Sequence, residues 1–250
     1  MPDLKPDMTS DFRSDLTSVL PAAPAGWHLY VLYKSVRHIY FRIYPGQNQV
    51  KITVPRRISS SGLDAAIQAK SQWLLNKISV QRPIPGADSE LKDEGECRFK
   101  GRTYPLVFRV WAAPPRVLFD SETGITVYTR PGTGPEKKAG ILSQWMRQCL
   151  KREIRILLDR WEPVMRVEAC EFGVKKMKTR WGSCNTRAGR VWINLALIRM
   201  SSGLLEYVLV HELVHLLEPS HNHRFYDLMD RFLPRWKRDK AELDRFSPMG

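Results

Sequence analysis

The chain has 250 residues with a charged fraction of 26% and a hydrophobic fraction of 43%, which excludes a disordered or fibrous polypeptide and leaves room for one large domain or two small ones. No run reaches the ~18 apolar residues of a transmembrane helix. The formal charge of +14 is uneven, with 14 Lys/Arg against 6 Asp/Glu between Glu136 and Arg190. That bias favours an anionic substrate or partner, nucleic acid included.

Residues 1–26, rich in Pro, Ser, Asp and Ala, predict a loose tail. Their polar, partly acidic start and the lack of an apolar segment before Pro21-Ala22-Ala23-Pro24-Ala25 argue against a signal peptide. Four cysteines without C-x-x-C spacing, Cys97, Cys149, Cys170 and Cys184, fit reduced thiols in a cytoplasmic protein.

Alternating runs at 38–43 and 50–54 around Pro45-Gly46-Gln47-Asn48 predict a β-hairpin. Apolar residues at 63, 67, 74 and 78 predict an amphipathic helix over 61–78, ended by Pro83 and Pro85. Strand-like runs cover Cys97 to Tyr128, with turn signals at Lys100-Gly101 and Thr123-Gly124. Pro131-Gly132-Thr133-Gly134-Pro135 reads as a linker, so the expected division is a β-rich N-terminal domain over 27–135 and a second domain over 136–250.

Beyond 136 the pattern turns helical. Leu142, Met146, Leu150, Ile154, Leu157, Leu158 and Trp161 recur every three or four residues, predicting one amphipathic helix stopped by Pro163. Val174–Cys184 and Val191–Leu197 predict a second hairpin. Residues 203–217 are apolar nearly all round, the signature of a centrally buried helix. A last helical stretch spans about 224–246, interrupted near Pro234. No internal repeat is evident. The whole is α+β, strand-rich first and helical later.

The chemistry concentrates in His211-Glu212-Leu213-Val214-His215. Positions i and i+4 of a helix share a face, so His211 and His215 can reach one zinc ion, with Glu212 beside them as general base to a metal-activated water. Two hydrogen-bonded core histidines are the bland alternative, but an apolar helix has little use for a buried, unpaired glutamate. A catalytic zinc needs a third protein ligand, and Glu218, His221, His223 and Asp227 are near in sequence. A straight helix would carry His221 about 15 Å beyond His211, but Pro219 disfavours helix at Glu218 and gives His221 a route back. His221 is therefore preferred over His223. The same histidine spacing occurs in metzincins, but Glu218 stands at their glycine and Ser247-Pro248-Met249 makes a poor Met-turn.

Three segments taken together, Lys178-Thr179-Arg180-Trp181-Gly182-Ser183-Cys184-Asn185, Ile193-Asn194-Leu195-Ala196-Leu197 and Tyr207 to Leu216, resemble the YgjP-like (DUF45) metallopeptidases, strongly over about 140–246. The resemblance implies a zincin-like fold, zinc held by His211, His215 and His221, Glu212 as catalyst, and a peptide or protein substrate. The chain departs from the family pattern at Ser220-His221-Asn222 and Phe225-Tyr226. By the same resemblance Arg180, Trp181 and Ser183 line a substrate cleft beside the active-site helix; the competing reading makes Trp181 core and Gly182 a bend. The gap before the third histidine is also similar to that of WLM-type proteases acting near DNA. A metal-dependent nucleotide pyrophosphatase and a nucleic-acid-associated protease or binding protein stand as alternatives, the first weakened by the lack of a G-x-x-x-x-G-K-[ST] loop.

Overall fold

The computed structural model describes residues 11–13, 15–44, 48–80 and 94–246. The chain forms two compact units, divided after Pro83.

The first unit is a four-stranded sheet of order β1-β2-β4-β3, from Asp11–Arg13, His28–Lys34, Tyr40–Tyr44 and Gln49–Pro55, followed by helix α1, Ser60–Val80. Strands β3 and β4 form the expected hairpin, with Phe41 opposite Ile52; residues 45–47 of its turn lie outside the described residues, as do Pro83 and Pro85. Leu63, Ile67, Leu74 and Ile78 bury the apolar stripe of α1 against Leu29, Val31, Val50 and Ile52. The loose tail expected over 1–26 is corrected where it is described. Strand β1 pairs with β2, and a 3-10 turn at Leu16–Ser18 sinks Leu16 fully into the core. Leu20 and Trp27 follow it, so burial outweighs the polar composition.

The second unit opens with another four-stranded sheet, β5 Glu94–Phe99, β6 Arg102–Val110, β7 Arg116–Asp120 and β8 Gly124–Thr129, in the order β5-β6-β8-β7. Helix α2, Pro135–Met165, follows directly. The boundary expected at 135 therefore moves to 83. Its reason is packing: Phe99 and Phe119 stack around Trp145 of α2 at 4.9 and 6.5 Å, and the main chain at Lys100 bonds Ile198. Pro131–Pro135 is a tight entry into α2, not a hinge between domains. Pro163 does not stop α2 either. It removes one hydrogen bond in the last turn, a cost of about 3 kcal/mol for a proline inside a helix, while that turn buries Trp161 and Met165. The helix ends at Arg166, in the left-handed conformation (φ 55°).

The two sheets share one connectivity. Each has an antiparallel first pair, a parallel central pair and an antiparallel outer strand, then a helix. Each helix carries Ser-Gln-Trp, at 71–73 and 143–145, and each Trp meets a Phe of the outer strand: Trp73 with Phe41, Trp145 with Phe119. Where the sequence suggested no repeat, the fold contains a duplicated ββββα module.

The remaining chain builds the site. A three-stranded sheet has the order β10-β11-β9, from Gly182–Asn185, Arg190–Asn194 and Glu171–Lys175. Only β10 and β11 form the hairpin; Val174 belongs to β9, which runs parallel to β11. A 3-10 turn, Leu195–Arg199, leads to the buried helix α3, Ser202–Leu217, then α4, His223–Phe232, and α5, Trp236–Leu243. Among the described residues no helix is long and apolar enough to cross a membrane.

Candidate metal centre

Helix α3 buries Leu204, Leu205, Val208, Leu209, Val210, Leu213 and Val214, which fixes its rotation and leaves His211 and His215 on the one face that is not fully covered. It ends where the sequence requires. Glu218 leaves helical geometry (φ −144°, ψ 103°) ahead of Pro219 while its N–H still caps Val214. The Glu218 carbonyl then lies 3.2 Å from His215 Nδ1. With Nδ1 donating there, the His215 Nε2 lone pair is free and aimed, as a second-sphere carbonyl does for a metal ligand.

The chain returns through a short loop. The Glu218 carboxylate accepts from Ser220 N–H at 3.2 Å, and Asn222 caps α4 through Phe225 N–H at 3.1 Å. His221 thereby comes within 3.1 Å of His211, Nε2 to Nε2. The ligand atoms of His211, His215 and His221 all lie within 4.8 Å of one another. Phe225, fully buried, packs against all three rings at 4.6 to 5.0 Å between centroids and forms an apolar floor. His223 does not join them. Its side chain is 93% exposed and pairs with Asp227 at 2.7 Å.

Burial holds the His211 imidazole down at about 3, with His215 and His221 adding to the effect; burial also lowers His215. Both are neutral near pH 7, the form that ligates. This donor set fits a tetrahedral nitrogen-liganded metal: ligation at ~2.0–2.1 Å puts donors about 3.3 Å apart, close to the spacing of the His211–His221 pair.

Glu212 is 6% exposed. Burial pushes its carboxyl up to about 8, and the charge of Arg180 works against that rise. Its neighbour explains Gly182. A Cβ at position 182 would stand 2.5 Å from Glu212 Oε1 and 2.8 Å from its Cγ. The glycine is needed for this close approach, not for the bend considered from sequence, and that function could not be seen before α3 was placed against β10.

Of the other residues singled out, Trp181 is half-buried and Arg180 exposed, on the segment entering β10. Ser183 is different. Gly182 faces Glu212, so strand alternation turns the Ser183 side chain to the opposite face, where its cross-strand partner is Trp192. Only its main chain can border the cleft, which narrows the expectation that it lines it. Cys184 returns to the α3 side, and burial, then Glu212, pushes its thiol up to about 11.

Sequence reasoning missed Asn194. Its buried side chain donates to the carbonyls of Met177 and Arg180, both at 2.8 Å, and accepts from Ala196 N–H at 3.1 Å. One amide thus holds the loop carrying Arg180 and caps the 3-10 turn that enters α3. An Asn directly after a strand of β-branched and aromatic residues was the available signal. Glu206 was also missed: 7% exposed, it accepts from Trp161 Nε1 at 3.0 Å, Arg160 at 2.9 Å and Arg235, tying α3 to α2 and α5.

A family model described as the YgjP-like metallopeptidase domain matches residues 37–246. Two solved structures resemble a part of the chain. The metallopeptidase zymogen abylysin of Pyrococcus abyssi is 18% identical, covering 36% of this chain and 90% of its own, with a TM-score of 0.34. For jannalysin of Methanocaldococcus jannaschii, also a metallopeptidase zymogen, the figures are 23%, 38%, 90% and 0.31. No curated protein matches the chain.

Proposed function

The chain belongs to the YgjP-like metallopeptidase family and is a peptidase-like hydrolase, and on that premise we propose that His211, His215 and His221 hold zinc and that Glu212 is the general base of peptide hydrolysis. The observation that carries the proposal is the convergence of three imidazoles beside one buried carboxylate. Zinc, when bound, supplies Lewis acidity for activating water and polarising a carbonyl.

The chain's own residues do the rest. Glu212 accepts the proton of the attacking water on a carboxylate oxygen and later passes it to the departing amine. A buried carboxylate near an exposed arginine suits this, since its proton affinity lies closer to neutral pH than that of a solvated glutamate. Gly182 leaves the space in which that carboxylate stands. Strand β10 is the edge of its sheet, so its outer main chain can pair with an extended peptide that passes Glu212. Arg180 and Trp181 flank the approach, and Ser183 contributes through its backbone. The four free thiols accord with a reducing, cytoplasmic setting.

Metal content and cleavage of a quenched fluorescent peptide, measured on the same preparations, test this reading. Chelation should abolish cleavage and zinc restore it. His221→Ala should lose metal and activity together, whereas His223→Ala should keep both. Full activity in metal-free protein, or metal lost only from His223→Ala, would overturn it.

A further inference from the structure

We propose that the trench between strand β7 and helix α2 is a docking site for an extended acidic peptide. This inference does not depend on the metal reading. Strand β7 is the outer strand of its sheet, so one row of its main-chain groups is paired with no strand among the described residues. Edges are usually blunted by charge, proline or bulges. Here Arg116 and Asp120 sit only at the two ends, and the middle is Val117, Leu118 and Phe119, the last two 50% and 40% exposed.

Beside this edge lies a groove of about 580 Å³, floored by Val117, Ile141 and Trp145 and rimmed by Lys137, Gln144 and Gln148. A second hollow of about 320 Å³ continues past Trp145 to Phe119 and Arg152. On the helix the rim runs from Lys137 to Arg152, 15 residues or about 22 Å. Five strand residues span about 17 Å. A peptide of five to seven residues paired with β7 would fill this length, with alternate side chains turned into the groove.

The charge of the trench selects the occupant. Lys137 and Arg152 stand at its two ends, and neither is paired with a carboxylate among the described residues. Arg152 donates instead to the Cys149 sulfur at 3.2 Å. Glu153, the carboxylate that borders the hollow, is neutralised by Lys100 at 2.6 Å. Arg116 at the lip stacks over Trp111 and Tyr128. Apolar floor, amide rim and cationic ends together match a strand alternating apolar and acidic side chains. A basic segment would meet like charge, as would a second copy of β7 bringing its own Arg116.

Fluorescence anisotropy of a labelled ten-residue peptide of alternating Val and Glu, titrated with the full chain, tests the assignment. Lys137→Glu/Arg152→Glu should weaken binding at least tenfold. Arg56→Glu/Arg57→Glu, an equal charge change in the first unit, should alter it less than twofold. N-methylation of every second peptide bond, tried in both frames, should abolish binding in one frame, and His221→Ala should bind normally. Equal losses in the two double variants would mean unspecific attraction to a basic chain and overturn the site. So would an absence of binding, tighter Lys137- and Arg152-dependent binding of a twenty-residue oligothymidylate, or self-association through β7 that displaces the peptide.

Discussion

The two units bury different kinds of side chain. Among the described residues, the first buries apolar side chains only. The second buries Asn194, Glu206, Glu212 and Asp239 as well as its apolar core. Each buried polar group costs several kcal/mol unless it is partnered, so each must have a structural or chemical reason. Asn194 bonds main-chain groups of Met177, Arg180 and Ala196, and Glu206 and Asp239 share Arg235. Glu212 is the exception, pushed towards its protonated form by burial. Its burial beside three converging imidazoles is the observation on which its proposed catalytic role rests.

The contrast sharpens if that exception is removed. Glu212→Gln should lower kcat for peptide cleavage by about 10²–10⁴, the range for loss of general acid–base catalysis, while zinc content stays at the wild-type level. Activity within tenfold of wild type would show that Glu212 is buried for structural reasons only. Gly182→Ala comes next. The new methyl must displace Glu212 by about an ångström, which can cost on the order of a hundredfold in kcat; circular dichroism and metal content should be unchanged.

The thiol beside Glu212 gives a pH test. Cys184 is raised from 9.0 to about 11, so its thiolate fraction at pH 8 is about a hundredfold lower than that of an unshifted thiol. Alkylation followed by mass spectrometry should label the exposed Cys170 first, with Cys184 catching up only as pH climbs towards its pKa. Rapid labelling of Cys184 at pH 8 would contradict the burial described. The smallest effect at the site should come from the other unit. Leu16→Ala should cost about 2–5 kcal/mol of stability, read by denaturant titration, and leave zinc content and kcat within twofold.

The same contrast explains what could be read from residue order. Helix α3 was legible because its apolar run and i, i+4 histidines are local facts, and the turn-back to His221 followed from the geometry Pro219 imposes. Likewise β3 and β4 follow from alternation about a turn. Features that depend on pairing distant segments were not legible. The packing of Phe99 and Phe119 on Trp145 and the bond from Lys100 to Ile198 join the second sheet to the helical part and move the boundary from 135 to 83. Leu16 and Leu20 look like tail residues until a core exists to receive them. Gly182, Asn194 and Glu206 acquire their functions only from what tertiary packing sets against them.

X-ray absorption at the zinc edge of the purified protein bears most directly on the central claim that three histidines hold one catalytic zinc. The expected spectrum has three imidazole nitrogens and one oxygen ligand at about 2.0–2.1 Å, unchanged in His223→Ala, whereas His221→Ala, which loses its metal, should show no bound-zinc spectrum. A sulfur ligand near 2.3 Å, placing Cys184 in the sphere, or an unchanged spectrum in His221→Ala, would contradict it.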